Sequence, residues 1–285
     1  MAAQNQHDAD RRNFSQQLLA GLAMASQVAL HGPTPGGQTI AQPGQQLDEQ
    51  EKQLALDLTY DEHQTVLNKL VSYVNLPAGN LDTDSELYLE EQLSEMLGFS
   101  VRAELAGHRL NQSIGIMGSE QHLLRYPGDT LAEHDAYQEA GIAPNRGAFS
   151  WFTENGQLTE EAVQREKYYF AVQLMYLPDW SEQASVLKPW YKYRKMVVIN
   201  PSEQVAVVGV VADAGPALWV QKQFGGSPEV VREGKIWSPK TRGKVMLLFV
   251  DDPNDSIPLG PISLDYASTL ARSKAKQQLA ISLLQ

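Results

Sequence analysis

Residues 205–216 read VAVVGVVADAGP, and no other stretch restricts the fold of this chain so tightly. Val207, Val208, Val210 and Val211 are β-branched, which suits the crowded, pleated surface of a strand and costs rotamer freedom in a helix. A nearly unbroken apolar run of this composition predicts a buried strand. The run stops at Asp213, and Gly215-Pro216 turns the chain. A core strand therefore delivers one carboxylate at its mouth, where a charge without partners or water would be costly. Two readings of Asp213 follow: its side chain caps the turn, or it stands in a cleft.

The flanking sequence extends the pattern. Residues 195–200, KMVVIN, followed by Pro201-Ser202-Glu203-Gln204, predict a strand and a tight connection, hence a β-hairpin. Residues 224–231, FGGSPEVV, predict a glycine-rich turn into a short helix, with Ser227 as N-cap and Pro228 at the first helical position. Residues 244–251, KVMLLFVD, predict a closing strand. Hairpin, acid, turn, small helix and strand form a compact order for a six-stranded β-barrel.

Residues 197–216, VVINPSEQVAVVGVVADAGP, resemble the core of double-psi β-barrel domains of the rare lipoprotein A type, a superfamily shared by expansins, barwin-like proteins and some lytic transglycosylases. The likeness lies in the order strand, Asn-containing hairpin, Val-rich strand and Asp-x-Gly-Pro. Residues 147–152, GAFSWF, resemble the opening strand of such barrels, and residues 168–174, YYFAVQL, are expected to form the second. The resemblance spans residues 147–262. It implies a six-stranded double-psi-like β-barrel, and with the preceding helical N-terminal region, read from apolar spacing, the expected fold is α+β. It also implies Asp213 as the catalytic acid, on a Gly215-Pro216 scaffold. The sequence departs from these relatives at Gly225, where many of them carry a second Asp, and it has no His after His134.

A chain of 285 residues can bury a real core in one or two domains. With no cysteine, disulfides, thiol nucleophiles and Cys-based zinc sites are excluded. The formal net charge of -11 argues against nucleic acid as a partner, and no apolar run reaches the length of a membrane span. No cofactor is expected. The N-terminus carries Arg11-Arg12-Asn13-Phe14, then a mildly apolar stretch and a turn-rich segment; together these resemble a twin-arginine export signal, with an amphipathic helix as the alternative. The first reading implies an exported, periplasmic or extracellular protein and the second a cytoplasmic one. The expected organisation is an export-like segment over 1–41, a helical region over 42–112, a loop-rich connector over 113–146 and the barrel domain with a C-terminal tail over 147–285. Within the helical region the apolar spacing predicts helices over 47–75 and 85–97, the second opened by Asp84 and closed by Gly98. Glu86, Glu90, Glu91 and Glu95 are read as its solvated face.

Residues 115–135, GIMGSEQHLLRYPGDTLAEHD, gather Glu120, His122, Arg125, Asp129, His134 and Asp135 among turn residues, the composition of a cleft edge. Glu120 and Asp129 are the candidate carboxylates to work with Asp213, and His122 and Arg125 are candidate substrate contacts. Arg125 and Asp129 also suit an ion pair that fixes the loop. A metal held by His122, Asp129 and His134 matches no recognised ligand spacing, and none is assigned. Trp180, Trp190 and Tyr191 offer flat faces for sugar rings, with core packing as the alternative; Trp180 and Trp190 are expected to be exposed. The expected function is action on polysaccharide, peptidoglycan first, by lytic-transglycosylase-like cleavage with Asp213 as a single general acid. Ordinary hydrolysis usually needs a second carboxylate. The alternatives are a non-catalytic, expansin-like glycan-binding or wall-loosening module and a structural protein-interaction barrel.

Overall fold

The computed structural model describes residues 59–134, 137–236 and 242–282. The export-like segment and the first part of the predicted 47–75 helix lie outside the described residues. Strands β1 (Val101–Arg102), β2 (Glu104–Leu105) and β3 (His108–Arg109) are short; the barrel is built from β4 (Ile114–Ser119), β5 (Tyr169–Val172), β6 (Lys195–Asn200), β7 (Val205–Asp213), β8 (Phe224–Gly226) and β9 (Arg242–Val250). These six close into a ring, β6–β7–β5–β8–β4–β9 and back to β6. Two of the pairings, β4–β8 and β5–β7, are parallel and the other four antiparallel. This closed, mixed, six-stranded barrel is compatible with a double-psi arrangement. A further strand, β10 (Gly260–Ser263), lines up on Val205–Val208 beyond the end of β5.

The unbroken valine run has a packing cause. Val207 and Val211 join Met196, Val198, Phe170, Val245, Leu247 and Phe249 in one core cluster, while Val208 and Ala206 join Val197, Ile199, Met246 and Leu248 in a second. Alternate residues thus point to opposite sides of a wall buried on both faces, which removes the usual apolar–polar alternation. The second cluster is covered by helices α1 (Tyr60–Val74) and α2 (Thr83–Leu97), which contribute Leu67, Leu70, Leu89, Leu93 and Met96. Thr59 and Glu62 form a reciprocal capping box at the start of α1. Helix α2 is capped by Asp82 rather than Asp84 and stops at Gly98, whose φ of 81° is in the left-handed region. Its acids are not all solvated. Glu90 is buried, accepting from the Ala103 amide at 2.9 Å and pairing with Arg102. The remaining helices are α3 (Glu160–Lys167), α4 (Trp180–Tyr191), α5 (Pro228–Glu233) and α6 (Tyr266–Ser282). Arg272 of α6 donates to Met96 O at 2.8 Å and so satisfies a carbonyl at the end of α2. No helix among the described residues is long and apolar enough to cross a membrane.

The barrel does not open where the sequence suggested. Residues 147–152 form no strand. Phe149 and Phe152 instead drop into two different core clusters, and Ser150 between them takes a φ of 76°. The opening strand is β4, inside the segment expected to be loop. Residues 224–226, expected to be turn, form β8, and the helix that follows has Ser227 as its cap and Pro228 at its start, as expected.

At the far end of β9, Asp252 gathers the Lys195 ammonium (2.7 Å), the amides of Ile257 (2.8 Å) and Ser256 (2.9 Å) and the Ser256 hydroxyl (3.0 Å). Burial alone would raise its pKa, but the ammonium and these donors outweigh burial and hold it at about 2 against an ordinary 3.8. A depressed carboxylate contributes stability above its unfolded-state pKa and loses that contribution as pH falls through the folded one, so the window here runs from about pH 4 down to about pH 2. Lys195 also pairs with the exposed Asp255, and solvent on that side screens the cluster. Asp252→Asn should therefore cost about 1–2 kcal/mol at neutral pH and flatten the acid limb of a denaturation-versus-pH curve. An unchanged acid limb would show that the cluster does not titrate with folding.

Candidate functional site

Asp213 ends β7 at the rim of the barrel, half-buried. Its Oδ1 accepts two main-chain N–H groups, from Ala214 and from Ala148, each at 2.9 Å. The first bond is the local turn cap; the second reaches across 65 residues and ties the 147–150 segment to the strand end. The carboxylate is thus a clamp between two chain segments. Beside that clamp lies an open groove of about 410 Å³, lined by Arg146, Ala148, Phe149, Ser150, Ser185, Lys188, Pro189 and Lys192 among others. No acid lines it. Arg146, Lys188 and Lys192 are exposed and carry no ion pair among the described residues. The Lys188 ammonium sits 6.0 Å from the centre of the buried Phe149 ring and Lys192 5.0 Å from that of Tyr193, which lies outside the groove.

Glu120 follows β4 and pairs with the Lys222 ammonium at 2.8 Å. Its carboxylate lies over Gly225: a Cβ on that glycine would sit 2.7 Å from Glu120 Cδ and closer still to Oε1. Glu120 therefore places a carboxylate directly over the backbone of Gly225. Gly225 and Asp213 are the two register partners of Ala171, one on each side of β5. Glu120 also lines a cleft of about 320 Å³ with Ser119, Gln121, Glu139, Pro228 and Arg232.

The other predicted contacts fall elsewhere. His122, Arg125 and Asp129 are buried, as is His134, and none presents a surface to a polymer. Arg125 holds Asp129 in a bidentate pair, both bonds at 2.9 Å, and its own amide donates to the same carboxylate at 2.8 Å, so this pair does fix the loop. Behind it Glu166, from α3, faces His122 Nδ1 at 3.2 Å and His134 Nδ1 at 3.1 Å and accepts from the Leu123 amide at 3.0 Å. Burial alone would lower the pKa of His122, but the hydrogen bond and charge of Glu166 carry it above the usual value. Burial would likewise raise Glu166, and the two imidazoles hold it below. Nothing local marks Glu166, seventh residue of the charged run 160–167, EEAVQREK, as buried.

The aromatic expectation is corrected. Tyr191 is buried at 1% exposure and spends its hydroxyl on Arg109 O at 2.9 Å. Trp190 is half-buried between His108, Tyr191 and Phe249, with the Arg194 guanidinium 4.4 Å above its ring. Trp180 is half-buried against the same core. Among the described residues the exposed tryptophan is Trp219, at 80%. Compared with protein-family models, with curated proteins and with solved structures, the chain matches none.

Proposed function

We propose that this protein binds an anionic polysaccharide of the cell envelope, peptidoglycan first, in the groove beside Asp213, as a non-cleaving module. The observation that carries this reading is the set Arg146, Lys188 and Lys192, three exposed cations without ion-pair partners among the described residues around one groove, in a chain of net charge -11. An unpaired cationic patch on an acidic protein selects an anionic ligand and steers it locally. Pro189 gives sugar rings an exposed apolar face, and Ser150 and Ser185 give their hydroxyls partners. Asp213 supports binding rather than cleavage because both bonds to its carboxylate hold main chain in place.

The test is sedimentation with insoluble peptidoglycan and with a neutral β-glucan, with mass spectrometry of the supernatant. Peptidoglycan should bind in preference and less tightly as salt rises. Lys188→Glu with Lys192→Glu should weaken that binding about tenfold, since two exposed charges are reversed. Equal binding by the double variant would remove the groove from the function. Glu120 over Gly225 favours the cleaving alternative: soluble fragments that disappear in Asp213→Asn would establish it.

A further inference from the structure

From the His122–His134–Glu166 cluster we infer a buried divalent-cation site, with zinc as the ion its donors suit. One donor atom from each of these residues falls within a 4.8 Å span. Glu166 Oε1 lies 3.2 Å from His122 Nδ1 and Oε2 lies 3.1 Å from His134 Nδ1. A tetrahedral ion with bonds of about 2.0–2.1 Å to nitrogen and oxygen spaces neighbouring donors about 3.3 Å apart, so each imidazole–carboxylate contact already has that spacing, and the wider pair within the 4.8 Å span closes up as the ion binds. Two imidazoles and a carboxylate are a donor set that zinc accepts, with a fourth position left for water.

Proton placement distinguishes an ion from a plain hydrogen-bond network. Without a cation, each Nδ1 must carry a proton to donate to Glu166. His134 Nε2 then lies 3.3 Å from Asp129 Oδ2, so it either sets a lone pair against a carboxylate or takes a second proton. Neither His122 Nε2 nor His134 Nε2 makes a well-aligned hydrogen bond among the described residues, the latter meeting Asp129 only as this ion-pair contact, although both rings are buried. With a cation on the Nδ1 atoms, the proton moves to Nε2 and His134 has an acid to face. Asp129, held by Arg125, becomes the outer carboxylate that orients a ligating imidazole. Full burial makes the site a clamp rather than a catalytic centre. It fastens the segment after β4 to α3, through residues 44 and 32 positions apart in sequence.

The experiment starts from full-length protein, unfolded in chelator and refolded with or without a small excess of zinc chloride, then separated from free ion. Elemental analysis should find one zinc per chain, and the zinc-loaded protein should melt several degrees above the metal-free one. His122→Asn should retain no zinc, whereas Asp129→Asn should retain it about 10–100-fold more weakly. Should these variants fail to fold, zinc-edge X-ray absorption of the wild type reads the ligands directly, with two imidazoles and an oxygen donor expected. No zinc in the refolded wild type, equal retention in His122→Asn, or fewer than two imidazoles would each overturn the assignment.

Discussion

Glu166→Ala should destabilise the folded protein by about 3–5 kcal/mol, the cost of removing one member of a buried charged cluster. The carboxylate accepts from the Leu123 amide and faces two imidazoles, and its side chain is only 3% exposed. Alanine leaves a buried N–H, two buried rings and a cavity. The loss arises whether the rings share protons or a cation with Glu166. Chemical denaturation should show the midpoint collapse, while Glu160→Ala, at an exposed position on the same helix, should change it by less than about 1 kcal/mol. A midpoint within error of the parent in Glu166→Ala would mean that the 120–134 segment can detach without cost.

Gly209→Val should be comparably damaging, at about 3 kcal/mol or more, through the backbone rather than through charge. A Cβ at Gly209 would sit 2.8 Å from Phe170 Cε2 and closer still to the Tyr168 carbonyl oxygen. That carbonyl accepts from the Val210 amide at 2.9 Å and belongs to the contact that seats β5 against β7. It cannot swing aside as a side chain can, so the barrel opens on that side or the strand shifts register. Gly209→Ala should cost about 1–3 kcal/mol by the same clash with less bulk. Gly79→Ala is the matched control, because nothing lies within 4 Å of its added carbon. Similar denaturation midpoints for the position 79 and position 209 variants would show that close approach at Gly209 does not limit the barrel.

Both predictions turn on residues whose roles differ in legibility. The strands around Asp213 could be read directly because β6, β7 and β9 are buried on two faces, and an unbroken β-branched run has few other structures open to it. Strand β4 was hidden by its own packing. Its sequence, IGIMGS, looks like loop because of Gly115 and Gly118, yet a Cβ at either would strike the side chains of Gln223 or Lys222, which lie across the strand. Those glycines answer to neighbours more than 100 residues away. Residues 147–152 erred in the other direction. Their aromatics look like those of a strand, but Phe149 and Phe152 are claimed by different cores, which a straight strand cannot serve.

The same division holds at the candidate site. That Asp213 ends a core strand beside a turn followed from the sequence alone, since an apolar run and Gly-Pro determine where a strand must stop. That its carboxylate clamps Ala148 depended on closure of the barrel, which brings residues 65 apart within hydrogen-bond reach. The Arg125–Asp129 pair was legible because four residues separate its members. The place of Glu166 between two imidazoles, and of Lys188 beside Arg146, was decided only by tertiary structure. Local sequence determines which segments can be strand or helix through periodicity and side-chain shape. Which polar groups meet is set by long-range pairing, because the free energy that orders them comes from burying apolar residues elsewhere in the chain.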